Sequence, residues 1–180
     1  LQGTFLANTA DFFKDKNTFR ANYMPPKSGE YTLTISPNVF GGPVADGLLD
    51  YAVTLKAMKL NETPVLKKED KITADDPAYA NAFRKTKYKA YAIKMTKGKT
   101  YIIDMVKTGG NDNKLDPYLL LENPTKQVIA QDDDSGGYPN ARIVIRAMAD
   151  GEHRIIATGL ADFAGLGDFT LTVRTLKDEK

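Results

Sequence analysis

The 180-residue chain has no cysteine and no tryptophan, and its one histidine is His153. Without cysteine there is no disulfide framework, no thiol nucleophile and no thiolate metal ligand. One histidine and no cysteine also exclude the usual four-ligand zinc set. A Ser-His-Asp arrangement needs that histidine beside a nucleophile. The serines are Ser28, Ser36 and Ser135, and none stands in a G-x-S-x-G elbow. No apolar run approaches the roughly 18–20 residues a membrane-spanning helix requires, and no signal-peptide pattern is present. The chain begins at Leu1 rather than Met, which reads as a processed product, an expressed piece or a fragment of a longer protein.

Net charge is small, +2, but it is unevenly spread. Residues 62–107 carry eleven Lys/Arg against six Asp/Glu, and residues 108–180 carry eight against twelve. The basic stretch lacks the arginine clusters and interleaved aromatics of a nucleic-acid site. It reads as a lysine-rich, solvated sheet face, and nucleic acid is not expected as a partner.

Strand periodicity dominates. Alternation of period two runs through "GEYTLTIS" (Tyr31, Leu33, Ile35), "DYAVTLK" (Tyr51, Val53, Leu55), "ARIVIRA" (Ile143, Ile145) and "DFTLTVR" (Phe169, Leu171, Val173). The unbroken apolar runs "TYIIDMV" and "YLLLE" predict strands buried on both faces. Gly, Pro, Asn and Asp fill the spaces between. One helix is expected over "DDPAYANAFRK", residues 75–85, capped by Asp75 or Asp76 with Pro77 in its first turn. The fold class is all-β, an antiparallel β-sandwich.

The chain also repeats itself. "FRANYMPPKSGEYTLTI" (residues 19–35) aligns with "ARIVIRAMADGEHRIIA" (residues 141–157) at one offset, matching Arg20 to Arg142 and Gly29-Glu30 to Gly151-Glu152. "DYAVTL" then matches "DFTLTV" after a loop of different length. Residues 61–180 read as one complete sandwich and residues 1–60 as the C-terminal half of another. On that offset about 60 residues would precede Leu1. Half a sandwich leaves strand edges unpaired and one apolar face bare. It is expected to borrow strands from a protein partner or a further copy, as a homo-oligomer or larger assembly, or to pack on the complete copy.

"LDPYLLLENPTKQVIAQDDDSGGYPNARIVIRA", followed by "DGEHRIIATGLADFAGLGDFTLTVR", resembles the bacterial pre-peptidase C-terminal domain family. Asp116-Pro117-Tyr118-Leu119, Asp133-Asp134, Arg142-Ile143, Gly151, Gly167 and Phe169 fill the family's pattern. His153 departs from it, standing where an aromatic Tyr is usual; the first repeat has Tyr31 there. The resemblance implies a jelly-roll-like sandwich, non-catalytic, in bacterial secreted or cell-surface proteins, and hence an extracytoplasmic location. It implies work in assembly or protein–protein interaction. The alternative is a calcium-tuned accessory domain that binds a protein polymer or polysaccharide.

The carboxylates of "GGNDNKLD" and "QDDDSGG" are the candidate site. Asp112, Asp116, Asp132, Asp133 and Asp134 offer the several hard oxygens that calcium requires. They lack the D-x-[DN]-x-[DN]-G spacing of an EF-hand loop. Continued as a strand, the segment would aim Asp132 and Asp134 one way and Asp133 the other. The competing reading is that one or two of these carboxylates accept backbone N–H bonds and pin the turn before "NARI". Arg142 is expected to pair with Asp133 or Asp134, and Arg20 with Asp11. Glycoside hydrolysis by an acid pair is disfavoured, because no tryptophan is present to platform a sugar. His153 is expected to fill an inward strand position.

Overall fold

The structure is a computed structural model that describes residues 11–12, 19–20, 24–32, 52–55, 57–81, 84–160 and 165–177. Its strands are β1 (Asp11–Phe12), β2 (Phe19–Arg20), β3 (Leu66–Ile72), β4 (Ala78–Asn81), β5 (Arg84–Met95) and β6 (Thr100–Lys107), followed by β7 (Pro117–Glu122), β8 (Val128–Asp132), β9 (Ala141–Arg146), β10 (Gly151–Gly159) and β11 (Gly167–Thr175). Nine of them make two antiparallel sheets, ordered β4-β5-β10-β7-β8 and β3-β11-β6-β9. Only β4–β5 and β7–β8 follow one another within a sheet; every other connection from β3 onward changes sheets. The ends of this unit meet, since β3 pairs with β11 and Leu60 bridges to Leu176.

Alternation places the core. On β9 the burial pattern switches residue by residue, with Ala141, Ile143 and Ile145 inward. From β11, Phe169, Leu171 and Val173 meet Ile93 of β5, Leu119 and Leu121 of β7 and Ile155 of β10 in one apolar cluster. The runs "TYIIDMV" and "PYLLLE" are interior strands of their sheets, and both are buried on both faces as expected, save for the exposed Val106 at the end of the first. The outward side of β7 and β10 carries a second apolar layer of Tyr118, Leu120 and Ile156 with Tyr79, Tyr88 and Leu160 against it. Within that layer the buried Glu122 takes Nε and Nη2 of Arg154 on one oxygen, at 2.8 and 2.7 Å. His153 is buried and in register with Ile93, and its Nδ1 lies 3.2 Å from the Gly151 carbonyl.

The expected helix over residues 75–85 is not formed. Residues 78–81 are β4 and pair with β5 in the register Ala78↔Lys87 to Asn81↔Arg84. Ala and Lys are good helix formers, but intrinsic propensity is worth only tenths of a kcal/mol per residue, and a ladder to an existing sheet outweighs it. Asp76 serves instead as an anchor. It accepts from the Thr73 amide at 2.8 Å and from Lys89 Nζ at 2.9 Å. Burial pushes the Asp76 carboxyl up, but the Thr73 amide and the Lys89 ammonium outweigh it, and the net displacement is downward. A depressed carboxyl adds stability above its unfolded pKa, and that stability disappears as pH falls through the folded value. Asp76→Asn is therefore expected to cost about 1–2 kcal/mol at pH 7. The loss should shrink in acid, and thermal melts from pH 7 to pH 3 check both.

Lysine and acid guard the β3 edge. In the register of β3 with β11, Asp70 stands opposite Phe169 on the inward side, and its Oδ2 accepts from Tyr91 Oη at 2.8 Å. Charges turned inward on an edge strand oppose further pairing there. Burial first, and then Asp70, raise the Tyr91 hydroxyl well above its ordinary value.

Within residues 1–60 the described strands are β1 and β2, and two of the expected strand segments are not strands where they are described. Ala52–Leu55 forms no strand, and Val53 and Leu55 are 48% and 81% exposed. Gly29–Thr32 also forms none; the rest of "GEYTLTIS" lies outside the described residues. β1 and β2 pair with each other in the register Asp11↔Arg20.

Candidate metal centre

The site sits where β7 begins and β8 ends. The loop leading to β7 is fixed by Asn113, which is buried. Its Nδ2 donates to the Thr108 carbonyl and, at 2.7 Å, to the Asp168 carbonyl, while its Oδ1 accepts from the Leu115 amide at 2.9 Å. Pro117 opens the strand, and the Asp116 carbonyl accepts from the Leu160 amide at 2.9 Å. The Asp116 backbone is therefore held on both sides before its side chain does anything.

β8 ends at Asp132, which is buried. Its Oδ2 accepts from the Ser135 amide at 3.0 Å and the Arg142 amide at 2.8 Å. A carboxylate accepting two amides closes a turn and ties the strand end to the next strand. Three further backbone bonds tighten the loop: Gly136 N to Asn140 O, Gly137 N to Asp134 O and Asn140 N to Gly137 O, each 2.9 Å. Asp132 is thus the turn pin.

Because the chain bends immediately after Asp132, strand alternation stops there. Asp133 and Asp134 do not point to opposite sides, as a continued strand would require. Both reach Asp116, and one oxygen from each of Asp116, Asp133 and Asp134 lies within 4.8 Å of the others. Asp116 Oδ1 is buried and has no hydrogen-bond partner among the described residues. Burial, followed by the Asp116 and Asp132 carboxylates, pushes the Asp134 carboxyl above its ordinary value. A buried carboxylate oxygen left without a donor costs roughly 1–3 kcal/mol or more, and a hard cation is the kind of group that satisfies it. Three carboxylates without a nitrogen or sulfur ligand are a hard-oxygen donor set of the kind calcium takes rather than zinc. Asp112, the fifth expected ligand, is exposed and stands outside this group, because the Asn113 bonds turn the loop before Asp116.

Arg142 departs from expectation too. Its Nε meets Asp104 Oδ1 of β6 at 2.5 Å, in the register Asp104↔Arg142, rather than Asp133 or Asp134. Arg174 reaches the other Asp104 oxygen at 3.9 Å. The sequence does carry a signal for this pair, since one acid inside the apolar run "TYIIDMV" needs a cation to be buried. The Arg20 side chain lies outside what the structure describes.

No family model and no curated protein matches the chain. Among solved structures, the pre-peptidase C-terminal domain of a collagenase from Bacillus anthracis is similar, with 14% identity and a TM-score of 0.43 over 60% of this chain and 87% of that one. PliG from Aeromonas hydrophila, a periplasmic inhibitor of g-type lysozyme, is similar with 16% identity and a TM-score of 0.41 over 70% and 93%. Both similarities are remote. The chain is an all-β protein in which two antiparallel sheets of four and five strands form a sandwich.

Proposed function

We propose that the chain is a non-catalytic, extracytoplasmic β-sandwich module for protein interaction, fastened at one end by calcium held between Asp116, Asp133 and Asp134. The orphaned, buried Asp116 Oδ1 beside two further carboxylates carries this reading. Calcium supplies there the positive charge that the three side chains lack, and the chain supplies the oxygens and fixes the loop. The non-catalytic half is supported by where the chemistry-bearing residues lie. His153 is enclosed in the core, and Asp132 is committed to two amides. Asp116, Asp133 and Asp134 bring one oxygen each within 4.8 Å of one another, tighter than the roughly 5–10 Å that an acid pair acting across a sugar needs. Calcium sites of extracellular modules work at about 10⁻⁴–10⁻³ M, concentrations met outside the cytoplasm.

Thermal melts in calcium and in chelator test it. Any ion that binds only the folded state raises stability by mass action, by about 2.7 kcal/mol at a hundredfold excess over Kd. For a domain of this size that is a rise of roughly 10 °C. Asp134→Asn should abolish the rise. In chelator it should melt at or slightly above the parent, because one of the mutually repelling carboxylates is gone. A melting temperature indifferent to calcium in the parent chain would remove the metal half of the proposal.

A further inference from the structure

Two prolines stand in "MPPKSGEY", and they lie against the sandwich. Arg142 Nη1 donates to the Met24 carbonyl at 3.3 Å and to the Pro25 carbonyl at 3.4 Å. On the same corner, a Cβ placed on Gly137 would come within 3.1 Å of Pro26 Cβ, so Pro26 occupies the space that the glycine leaves open. Gly137 has φ of +94°, where glycine is at ease and a side chain is strained. The chemistry of the two sides is complementary. Pro25 and Pro26 have no amide hydrogen, so this backbone offers acceptors and few donors. A guanidinium offers donors alone, in a rigid fork. Asp104 holds that fork by its Nε edge, leaving Nη1 aimed at the carbonyls.

We infer that Met24–Pro26 is a strap and Arg142 its latch, fixing residues 24–32 on the four-stranded sheet of the sandwich. The segment arrives preformed, because consecutive prolines restrict the unfastened chain and lower the entropy lost on docking. Beyond the strap the chain closes a small turn of its own. Tyr31 Oη donates to the Lys27 carbonyl at 2.7 Å, and Lys27, Glu30 and Tyr31 stand exposed. The latch therefore presents this turn at a fixed place beside the Gly137 loop. The inference does not depend on metal binding.

The chain has no cysteine, so two introduced ones label cleanly. Spin labels at Ser28→Cys and Met148→Cys, both exposed positions, report the distance from the turn to the sandwich. In the otherwise unaltered full chain the distance distribution should be narrow. Arg142→Ala should lose the narrow component. Arg142→Lys should lose it as well while keeping a charge for Asp104, and so separates unlatching from misfolding, with circular dichroism confirming the fold. A broad distribution in the unaltered chain overturns the inference. So does a narrow one that survives in the folded Arg142→Lys chain.

Discussion

Gly167→Ala is expected to destabilise the sandwich by about 4 kcal/mol, in the range reserved for identifiable packing and backbone faults. Gly167 opens β11 with φ of +146°, a conformation that strains any residue with a side chain. A Cβ there would fall 1.8 Å from Asn113 Oδ1 and 3.0 Å from Leu115 Cβ. Asn113 cannot move aside cheaply, because it holds the Thr108 and Asp168 carbonyls and the Leu115 amide. Displacing it strands buried polar groups at about 1–3 kcal/mol each. With m about 1–3 kcal/mol/M in urea, the unfolding midpoint should fall by more than about 1 M at unchanged slope. Asn113→Ala alone should also be strongly destabilising. The double variant should be clearly less unstable than the two losses summed, since the clash needs the side chain that has been removed. Additive losses would show that Asn113 is not the obstacle.

Asp104→Ala should cost about 3–5 kcal/mol, the penalty of leaving a buried charge without its partner. Asp104 is 6% exposed and stands between Arg142 and Arg174 on the outer side of the four-stranded sheet. Removing it sets two guanidinium groups near one another with nothing between them. Asp104→Asn keeps the shape and an acceptor, and should recover part of the loss. If Asp104→Ala lowers the denaturant midpoint no more than an exposed charge deletion does, the pair is not holding β6 to β9. The same variant should loosen residues 24–32, because the latch would lose the side chain that aims it.

How much of this was legible beforehand depended on whether local pattern or distant partners decided the outcome. Strands β6, β7, β9 and β11 could be read directly, since alternation or continuous apolarity leaves each only one way to be buried. The stretch 75–85 could not. Its Ala and Lys allow a helix, and only the ladder from Tyr79↔Thr86 and its neighbours to β5 turns it into a strand. Within the repeat, one expected strand is absent for a related reason. "DYAVTL" has the same alternation as "DFTLTV", but β11 has β3 and β6 on its two sides, while Ala52–Leu55 forms no strand. A strand pattern becomes a strand only where a neighbour pairs with it, and among the described residues none pairs with Ala52–Leu55.

The site was half legible. Composition pointed to hard oxygen ligands and to the loop where three of the carboxylates come together. Which carboxylates converge depended on where β8 stops. Asp132 ends the strand by accepting two amides, and that one bend sends Asp133 and Asp134 to Asp116 and leaves Asp112 outside. The two readings left open by the sequence are therefore divided between neighbouring residues, with Asp132 as the turn pin and the other three as the candidate ligands. The partner of Arg142 came from a strand 38 residues away in sequence, beyond any local pattern.

Titrating calcium into the chelator-stripped chain at neutral pH measures whether an ion completes the Asp116, Asp133 and Asp134 cluster. Saturable binding of one ion per chain, at or below about 10⁻³ M, absent in Asp116→Asn and in Asp134→Asn but kept in Asp112→Asn, is the predicted result. Absence of saturable binding in the unaltered chain, or binding that survives loss of Asp116, would mean that calcium does not complete this cluster.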